Sequence, residues 1–174
     1  MDKINDIILE LKKRDYTHFE VFYEMTKNQV FFAIIHIIKD QGLAEDLLQE
    51  TYMKFLEKID QYQDGKNPYA YLTSIGRNLA INLYNHRKKE VIGDEMIDYI
   101  PSDETKEDDD QDDIFKLLDH LDLIEKEIVT MHVINDLKFR EIAGIMKKPL
   151  GTVLWIYNKA IKKLKEKVGE SYDA

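Results

Sequence analysis

The sequence predicts an all-α protein: two small helical domains joined by an acidic linker, the second containing a helix-turn-helix. The 174 residues include only three Pro and seven Gly, apolar residues recur at spacings of three and four, and no stretch alternates as a half-buried strand would. Residues 91–113 carry 11 acidic side chains and one basic side chain. Such a segment buries too little surface to offset its ordering entropy, so it separates a domain over residues 1–90 from one over residues 114–174.

Two interpretations of the acidic linker remain open: a solvated tether, or a DNA mimic that lies over a basic groove until a partner displaces it. The linker accounts for the net charge of −9, because residues 1–90 carry 14 acidic and 13 basic side chains and residues 114–174 carry 9 and 11. Neither domain would repel a polyanion, so nucleic acid stays open as a partner.

Composition excludes several classes of site. The chain has no cysteine, so it has no disulfides, no thiol chemistry and no thiolate metal site. The amino terminus lacks the apolar core of a secretory signal, and the longest apolar run, VFFAIIHII, is too short to span a bilayer. We therefore expect a cytoplasmic protein without membrane insertion.

Four helices are predicted in the first domain. The first has one apolar face, made of Ile4, Ile7, Ile8 and Leu11. The second runs from about Thr17 to Lys39 and the third from Leu43 to Ile59. Pro68 opens the fourth, because the N–H that proline lacks has no partner in a first helical turn. Tyr71 and Tyr84 of this helix are expected in the core.

The second domain predicts a helix-turn-helix. Its expected helices are Ile114–Leu121, Leu123–Asn135, Phe139–Met146 and Leu150–Val168. Within LKFREIAGIMKKPLGTV, the small Ala143 permits close helix packing, and Val153 is the buried residue ten positions later. A tight turn at Lys147–Lys148 precedes Pro149, with Lys147 at the position that glycine often occupies.

The last helix is amphipathic. At about 100° per residue, its core face is made of Val153, Tyr157, Ala160, Ile161 and Leu164. The opposite face is made of Thr152, Trp155, Lys159, Lys162 and Lys163. An outward tryptophan indicates a contact, and a thymine methyl or a sugar–phosphate edge would suit it. The alternative is that Trp155 packs on a neighbouring helix or on the first domain.

The third helix carries a polar face. Within LAEDLLQETYMKFLEKI, this face is made of Glu45, Asp46, Gln49 and Glu50. Such carboxylates could be catalytic or hold a metal, but no His follows them at helical spacing and no second carboxylate motif exists. A docking surface or a solvated face is therefore favoured over an enzyme using Glu45, Asp46 and Glu50, and we expect no metal, cofactor or catalytic residue.

The stretch from Ile59 to Glu90 places an aromatic residue and amides before a basic tail. The members that we single out are Tyr62, Asn67, Arg77, Asn78, Arg87 and Lys88. Aromatic rings stack on bases, amides read base edges and cations hold phosphates, so this composition is typical of a platform for single-stranded nucleic acid. The alternative is an ordinary helix with tyrosines in its core.

Taken in order, AEDLLQETYMKFL, YLTSIGRNLAIN, the acidic linker and LKFREIAGIMKKPLGTV closely resemble the sigma factors of bacterial RNA polymerase, in particular the small ECF (extracytoplasmic function) group. The resemblance covers nearly all of residues 17–168. It implies a non-enzymatic protein that binds core polymerase, recognises the −35 and −10 promoter elements and promotes strand opening. A helix-turn-helix regulator acting without polymerase is the alternative, but residues 1–90 do not look like the ligand or dimerisation domain that it would need.

For the first domain, the resemblance implies sigma region 2. The AEDLLQET helix would dock on the β′ clamp helices, and Asp46, Gln49 and Glu50 match the docking residues of the family. The loop Ile59–Pro68 would capture a flipped base of the −10 element. Tyr62 and Asn78 match positions that line its pocket.

For the second domain, the resemblance implies sigma region 4, which binds the −35 duplex and the β flap tip. The expected DNA contacts are Lys148, Gly151, Thr152, Trp155, Lys159 and Lys162. The linker would thread toward the RNA exit path, and an anti-sigma factor is a further partner that the family allows. The chain departs from the family at Tyr71, Asn82 and the segment GTVLWI, where the family usually has Trp, Asp and GTVKSR. The promoter sequence therefore cannot be carried over.

Overall fold

The computed structural model describes residues 2–91 and 116–172, which belong to two compact units. Helices make up the regular structure of both ranges, and no strand occurs within them. The predicted all-α fold is confirmed. The predicted linker, apart from Val91, and the start of the predicted helix Ile114–Leu121 lie outside the described residues.

The first unit follows the order of helices that the sequence predicts. They are α1 (Asp2–Lys12), α2 (Phe19–Ile38), α3 (Gln41–Glu57), a 3-10 turn (Ile59–Gln61) and α4 (Pro68–Val91). A two-residue connection joins α2 to α3. Lys39 ends α2 in the left-handed conformation, at φ 54°, and donates its N–H to the Ile35 carbonyl oxygen at 2.7 Å. Asp40 begins α3 by accepting the Leu43 N–H at 2.9 Å.

The core of the first unit draws on all four helices. Its buried side chains include Ile4, Ile8, Leu11, Phe22, Val30, Ile34, Leu47, Phe55, Leu72 and Ala80. Gly76 lets α4 approach closely, since a Cβ there would lie 3.1 Å from Ile34 Cδ1 and 3.2 Å from Thr51 Oγ1. Tyr71 packs on this core, with its ring 6.1 Å from that of Phe55. The expectation that Tyr84 is a core residue is wrong: it is 40% exposed, because it lies in the last turns of α4 among solvent-exposed neighbours.

The second unit contains α5 (Leu123–Val129), a π-helical turn (Thr130–Ile134), α6 (Phe139–Met146) and α7 (Leu150–Tyr172). The sequence predicts one regular helix where α5 and the π turn lie. The turn is wider because the Asn135 N–H donates to the Thr130 carbonyl oxygen, five residues back, at 3.1 Å. Three aromatic rings meet beside this turn: the ring of His132, within the turn, lies 4.0 Å from that of Phe139 and 5.0 Å from that of Tyr157 between centroids.

The turn between α6 and α7 has the predicted form. Lys147 adopts φ 52°, and the N–H groups of Lys147 and Lys148 donate to the carbonyl oxygens of Gly144 and Ala143 at 3.3 and 3.1 Å. The predicted core face of α7 is also confirmed, since Val153 and Ala160 are fully buried. Around Ala160 the core is completed by Leu118, Leu121, Val129 and Leu164, with Tyr157 and Ile161 half-buried beside them.

Candidate functional site

The polar residues of α3 project from a helix whose other face is buried. Ala44, Leu47, Leu48, Thr51, Tyr52 and Phe55 lie in the core. Glu45, Asp46 and Gln49 are exposed, and Gln41 Nε2 donates to Glu45 Oε1 at 3.1 Å. Because the apolar side is occupied by the fold, the exposed side is available for a partner.

Two details of this face were missed by the sequence analysis. Glu50 is half-buried and forms an ion pair with Lys54, one turn later, at 3.2 Å. Met53 is 63% exposed. It lies one turn beyond Gln49 and two turns beyond Asp46, so helical spacing could have placed it on the same face. We call Glu45, Asp46, Gln49 and Met53 the α3 face.

Tyr62 lies inside the first unit rather than at its surface. Its ring is 5.4 Å from that of Tyr71, its hydroxyl donates to the Lys66 carbonyl oxygen, and only 3% of the residue is exposed. Burial, and secondarily the Asp64 carboxylate, raises the pKa of Tyr62 to about 12. The resemblance assigns this ring to the pocket for a flipped base, and the structure places it inside the unit, where Tyr71 covers one side of the ring.

A cation from α1 holds the same loop. Lys12 Nζ donates to the Tyr62 carbonyl oxygen at 2.8 Å, pairs with Asp64 Oδ1 at 2.5 Å and lies 5.7 Å from the centre of the Tyr62 ring. Gly65 supplies a turn at φ 80°. This contact joins residues about fifty positions apart in the chain, so local sequence could not reveal it.

The remaining residues assigned to the −10 element divide between fold and surface. Asn67 Oδ1 accepts the N–H groups of Tyr69 and Ala70, at 3.0 and 3.4 Å, and so caps the start of α4. Arg77 is half-buried. Asn78, Arg87 and Lys88 are exposed on α4. α4 thus presents an exposed amide in its middle and exposed cations near its carboxyl end.

Trp155 is exposed on α7, as the helical wheel predicts. Its exposed fraction is 64%, so within the second unit it is not a core residue. Of its neighbours in sequence, Leu154 is 36% exposed and Ile156 is half-buried. The other predicted −35 residues on this helix, Gly151, Thr152, Lys159 and Lys162, are also exposed, and Lys148 is half-buried just before it.

A buried carboxylate holds two lysines of α7. Glu125, near the start of α5, pairs with Lys159 Nζ at 3.0 Å and with Lys163 Nζ at 2.6 Å, and its side chain is 1% exposed. The Lys159 ammonium also lies 5.6 Å from the centre of the Trp155 ring, within cation–π range. An exposed indole, an ammonium, a carboxylate and a second ammonium therefore form one contiguous array.

Glu125 has a second role at the start of α5. Its N–H donates to Asp122 Oδ1 at 2.9 Å, and its Oε2 accepts the Asp122 N–H at 3.1 Å, which is a capping box. Burial would raise the pKa of this carboxyl, but the Lys163 and Lys159 ammonium groups and the hydrogen bond from the Asp122 N–H lower it to about 2. The pattern Asp-x-x-Glu was a local signal for the cap; no local signal pointed to the lysines.

Two further observations concern other classes of site. Within residues 2–91 and 116–172, no group of three or more His, Asp or Glu side chains is arranged to hold a metal ion. Over the same part of the chain, every helix is too short or too polar to cross a bilayer.

Comparison with known families matches both units. The sigma-70 region 2 family model matches residues 22–90, and the sigma-70 region 4 model matches residues 111–166. Among solved structures, the sigma factor RpoE of Bartonella quintana, in complex with the anti-sigma factor NepR, is similar in fold. Its TM-score is 0.77 at 24% identity, over 87% of this chain and 96% of RpoE.

Relatives from Bacillus subtilis are similar over most of their length. The ECF sigma factor SigM is 31% identical over 129 residues, which cover 71% of this chain and 78% of SigM. The sigma factor SigV is 29% identical over 138 residues, or 78% of this chain and 82% of SigV. The chain therefore belongs to the ECF sigma factors, the non-enzymatic proteins that bind core RNA polymerase and promoter DNA to begin transcription.

Proposed function

We propose that this sigma factor divides its work among three surfaces. The α3 face binds the β′ clamp helices of polymerase, α4 with the loop before it binds the −10 element, and α7 binds the −35 duplex. The observation that carries the polymerase assignment is the separation of roles on α3, where Asp46 and Gln49 are exposed while the opposite side packs in the core.

At the −10 element, exposure supports Asn78, Arg87 and Lys88 as direct contacts, with Arg77 beside them. Asn67 and Tyr62 are already engaged in capping α4 and in the core. Their role is to fix the conformation of the loop. A flipped base would bind to the outer surface of this loop. A base stacked on Tyr62 itself would require the loop to open.

At the −35 element, α7 and the residue before it combine an exposed aromatic side chain with cations. Trp155 and Thr152 face the bases, and Lys148 and Lys162 reach phosphates. Residues 1–90 and 114–174 act as the two binding units, with residues 91–113 as the acidic link between them. The same second unit binds the β flap.

The protein acts in the cytoplasm, where polymerase and promoters are. An anti-sigma factor that covers one of these surfaces is a further proposed partner, because the similar RpoE was solved with one.

Asp46→Ala tests the polymerase assignment. We expect affinity for core polymerase to fall by about 1–3 kcal/mol, as at an interface hot spot, while the melting temperature stays unchanged because Asp46 is exposed. Affinity is measured by titrating core enzyme with labelled sigma factor. Glu20→Ala, which removes an exposed acid from α2, is the control. Equal core binding by the two variants would refute the assignment. Run-off transcription with purified core enzyme tests the function as a whole.

A further inference from the structure

The lysines of α7 are not equivalent. Lys159 and Lys163 share the carboxylate of Glu125, whose side chain is 1% exposed. Lys162 lies 3.9 Å from Glu166, with the two side chains 80% and 60% exposed. The first arrangement is a buried charge with two cationic partners; the second is a solvated pair of the kind that contributes little.

A DNA phosphate must compete with Glu125 for Lys159 and Lys163. If either ammonium moved to a phosphate, a buried carboxylate would lose one of its two cationic partners, and an underpaired buried charge is unfavourable. No such competition restrains Lys162. Its partner Glu166 is largely exposed, so water can solvate the Glu166 carboxylate when the ammonium leaves it. The lysines of α7 therefore differ in how readily they can leave their carboxylate partners and bind a DNA phosphate.

The position of Lys159 links this competition to Trp155. Its ammonium lies between the indole ring, 5.6 Å from the ring centre, and the carboxylate of Glu125, at 3.0 Å. A cation fixed over the ring restricts the orientations that the indole can adopt. Because Trp155 is 64% exposed, little else in the second unit restrains it.

We propose that Glu125 is a positioning residue for DNA recognition, which holds Lys159 beside the Trp155 ring and withholds Lys159 and Lys163 from non-specific phosphate contacts. The carboxylate thereby lowers the contribution of phosphate contacts to DNA binding by α7, relative to the contribution of base contact by the indole. This inference rests on the proposed −35 role of α7.

The first test compares two lysines. Each phosphate contact contributes about 0.9 to the slope of log affinity against log salt, so Lys162→Met should reduce the slope by about 0.9 and Lys159→Met by less than about half of that. The full chain is titrated with a fluorescent random-sequence duplex at several KCl concentrations. Equal reductions by the two variants would mean that Lys159 is as available as Lys162 and would overturn the proposal.

The second test compares two acids. Glu125→Gln removes the charge but can keep the cap, since glutamine serves at this position of a capping box. We expect its salt slope to steepen by about one to two units and its affinity for random duplex to rise, because two lysines are released. Glu166→Gln makes the same change in net charge and should leave the slope unchanged to within about 0.3 units. Equal slopes for the two variants would overturn the proposal.

The third readout needs no DNA. The chain has one tryptophan, so its fluorescence reports on Trp155 alone. Glu125→Gln should alter the emission and its quenching by acrylamide, whereas Glu166→Gln should not. A purely structural role of Glu125 would lower the melting temperature without steepening the salt slope. If neither the wild-type chain nor its complex with core polymerase binds duplex, the proposed −35 role itself is refuted. If the wild type binds and only the contrast between the variants is missing, this inference alone is wrong.

Discussion

The loop before α4 and the helix α7 each carry an aromatic residue that the sequence assigns to DNA, and their surroundings are opposite. In the loop, Tyr62 is 3% exposed and its ring packs on Tyr71. On α7, Trp155 is 64% exposed and its ring has an ammonium beside it. Each ring lies near a lysine, but Lys12 is bound by the loop itself, while Lys159 is bound by a buried carboxylate from another helix.

This difference separates two ways in which a substitution can abolish DNA binding. In the loop, the aromatic ring is part of the core, so a defect in binding would follow from a defect in folding. On α7, the Trp155 ring lies outside the core, and the ammonium beside it is held by a buried carboxylate. Stability must therefore be measured beside binding in both regions, and the two regions should respond differently.

The largest contrast is expected between Tyr62→Ala and Trp155→Ala. Truncating a buried aromatic ring costs about 3–5 kcal/mol of unfolding free energy, whereas an exposed substitution stays within about 0.5 kcal/mol. Urea unfolding of both variants, followed by circular dichroism, measures this. Similar losses in the two variants would show that Trp155 is packed or that Tyr62 is not.

The next largest effect concerns pH. The pKa of Glu125 is lowered from 4.5 to about 2, so its contribution to stability is fully present above about pH 4.5 and is lost as the pH falls toward 2. The contribution is about 3 kcal/mol. Glu125→Gln should lack this loss, while Glu166→Gln, at an exposed site, should keep it. Thermal unfolding between pH 5 and 2 compares them, and parallel curves for all three proteins would exclude the ion pairs as its source.

The smallest effect is a gain. Lys147 adopts φ 52°, a conformation that costs a side chain about 1–2 kcal/mol and that glycine adopts freely. After the greater unfolded-state entropy of glycine is subtracted, Lys147→Gly should stabilise the second unit by roughly 0.5–1 kcal/mol. Lys148→Gly is the matched control and should not stabilise. A loss of stability in Lys147→Gly would place the turn in another conformation.

Much of the fold could be predicted because its signals are local. The helix Phe139–Met146 has the predicted bounds, since Lys147 and Pro149 mark its end within the sequence itself. The core face of α7 followed from its periodicity alone. The π turn at Thr130–Ile134 was missed, because a widened turn leaves the apolar pattern nearly helical.

The candidate sites were predictable only in part. Exposure of Asp46, Gln49 and Trp155 followed from helical wheels, and the structure agrees. The burial of Tyr62 was not predictable, because Lys12 and Tyr71 come from distant segments. The pairing of Glu125 with Lys163 spans 38 positions and leaves no trace in either local sequence.

The π turn also affects how this chain can be aligned. A π turn holds one residue more than the α-helical turn that it replaces, so it acts as a one-residue insertion within a helix. Alignment with a relative whose helix is continuous would need a gap between Thr130 and Ile134. Without that gap, every residue on one side would be assigned to a helix face about 100° from its true one. If the shifted side is the one that holds Glu125, this carboxylate would then be compared with a residue on a different face of the relative's helix.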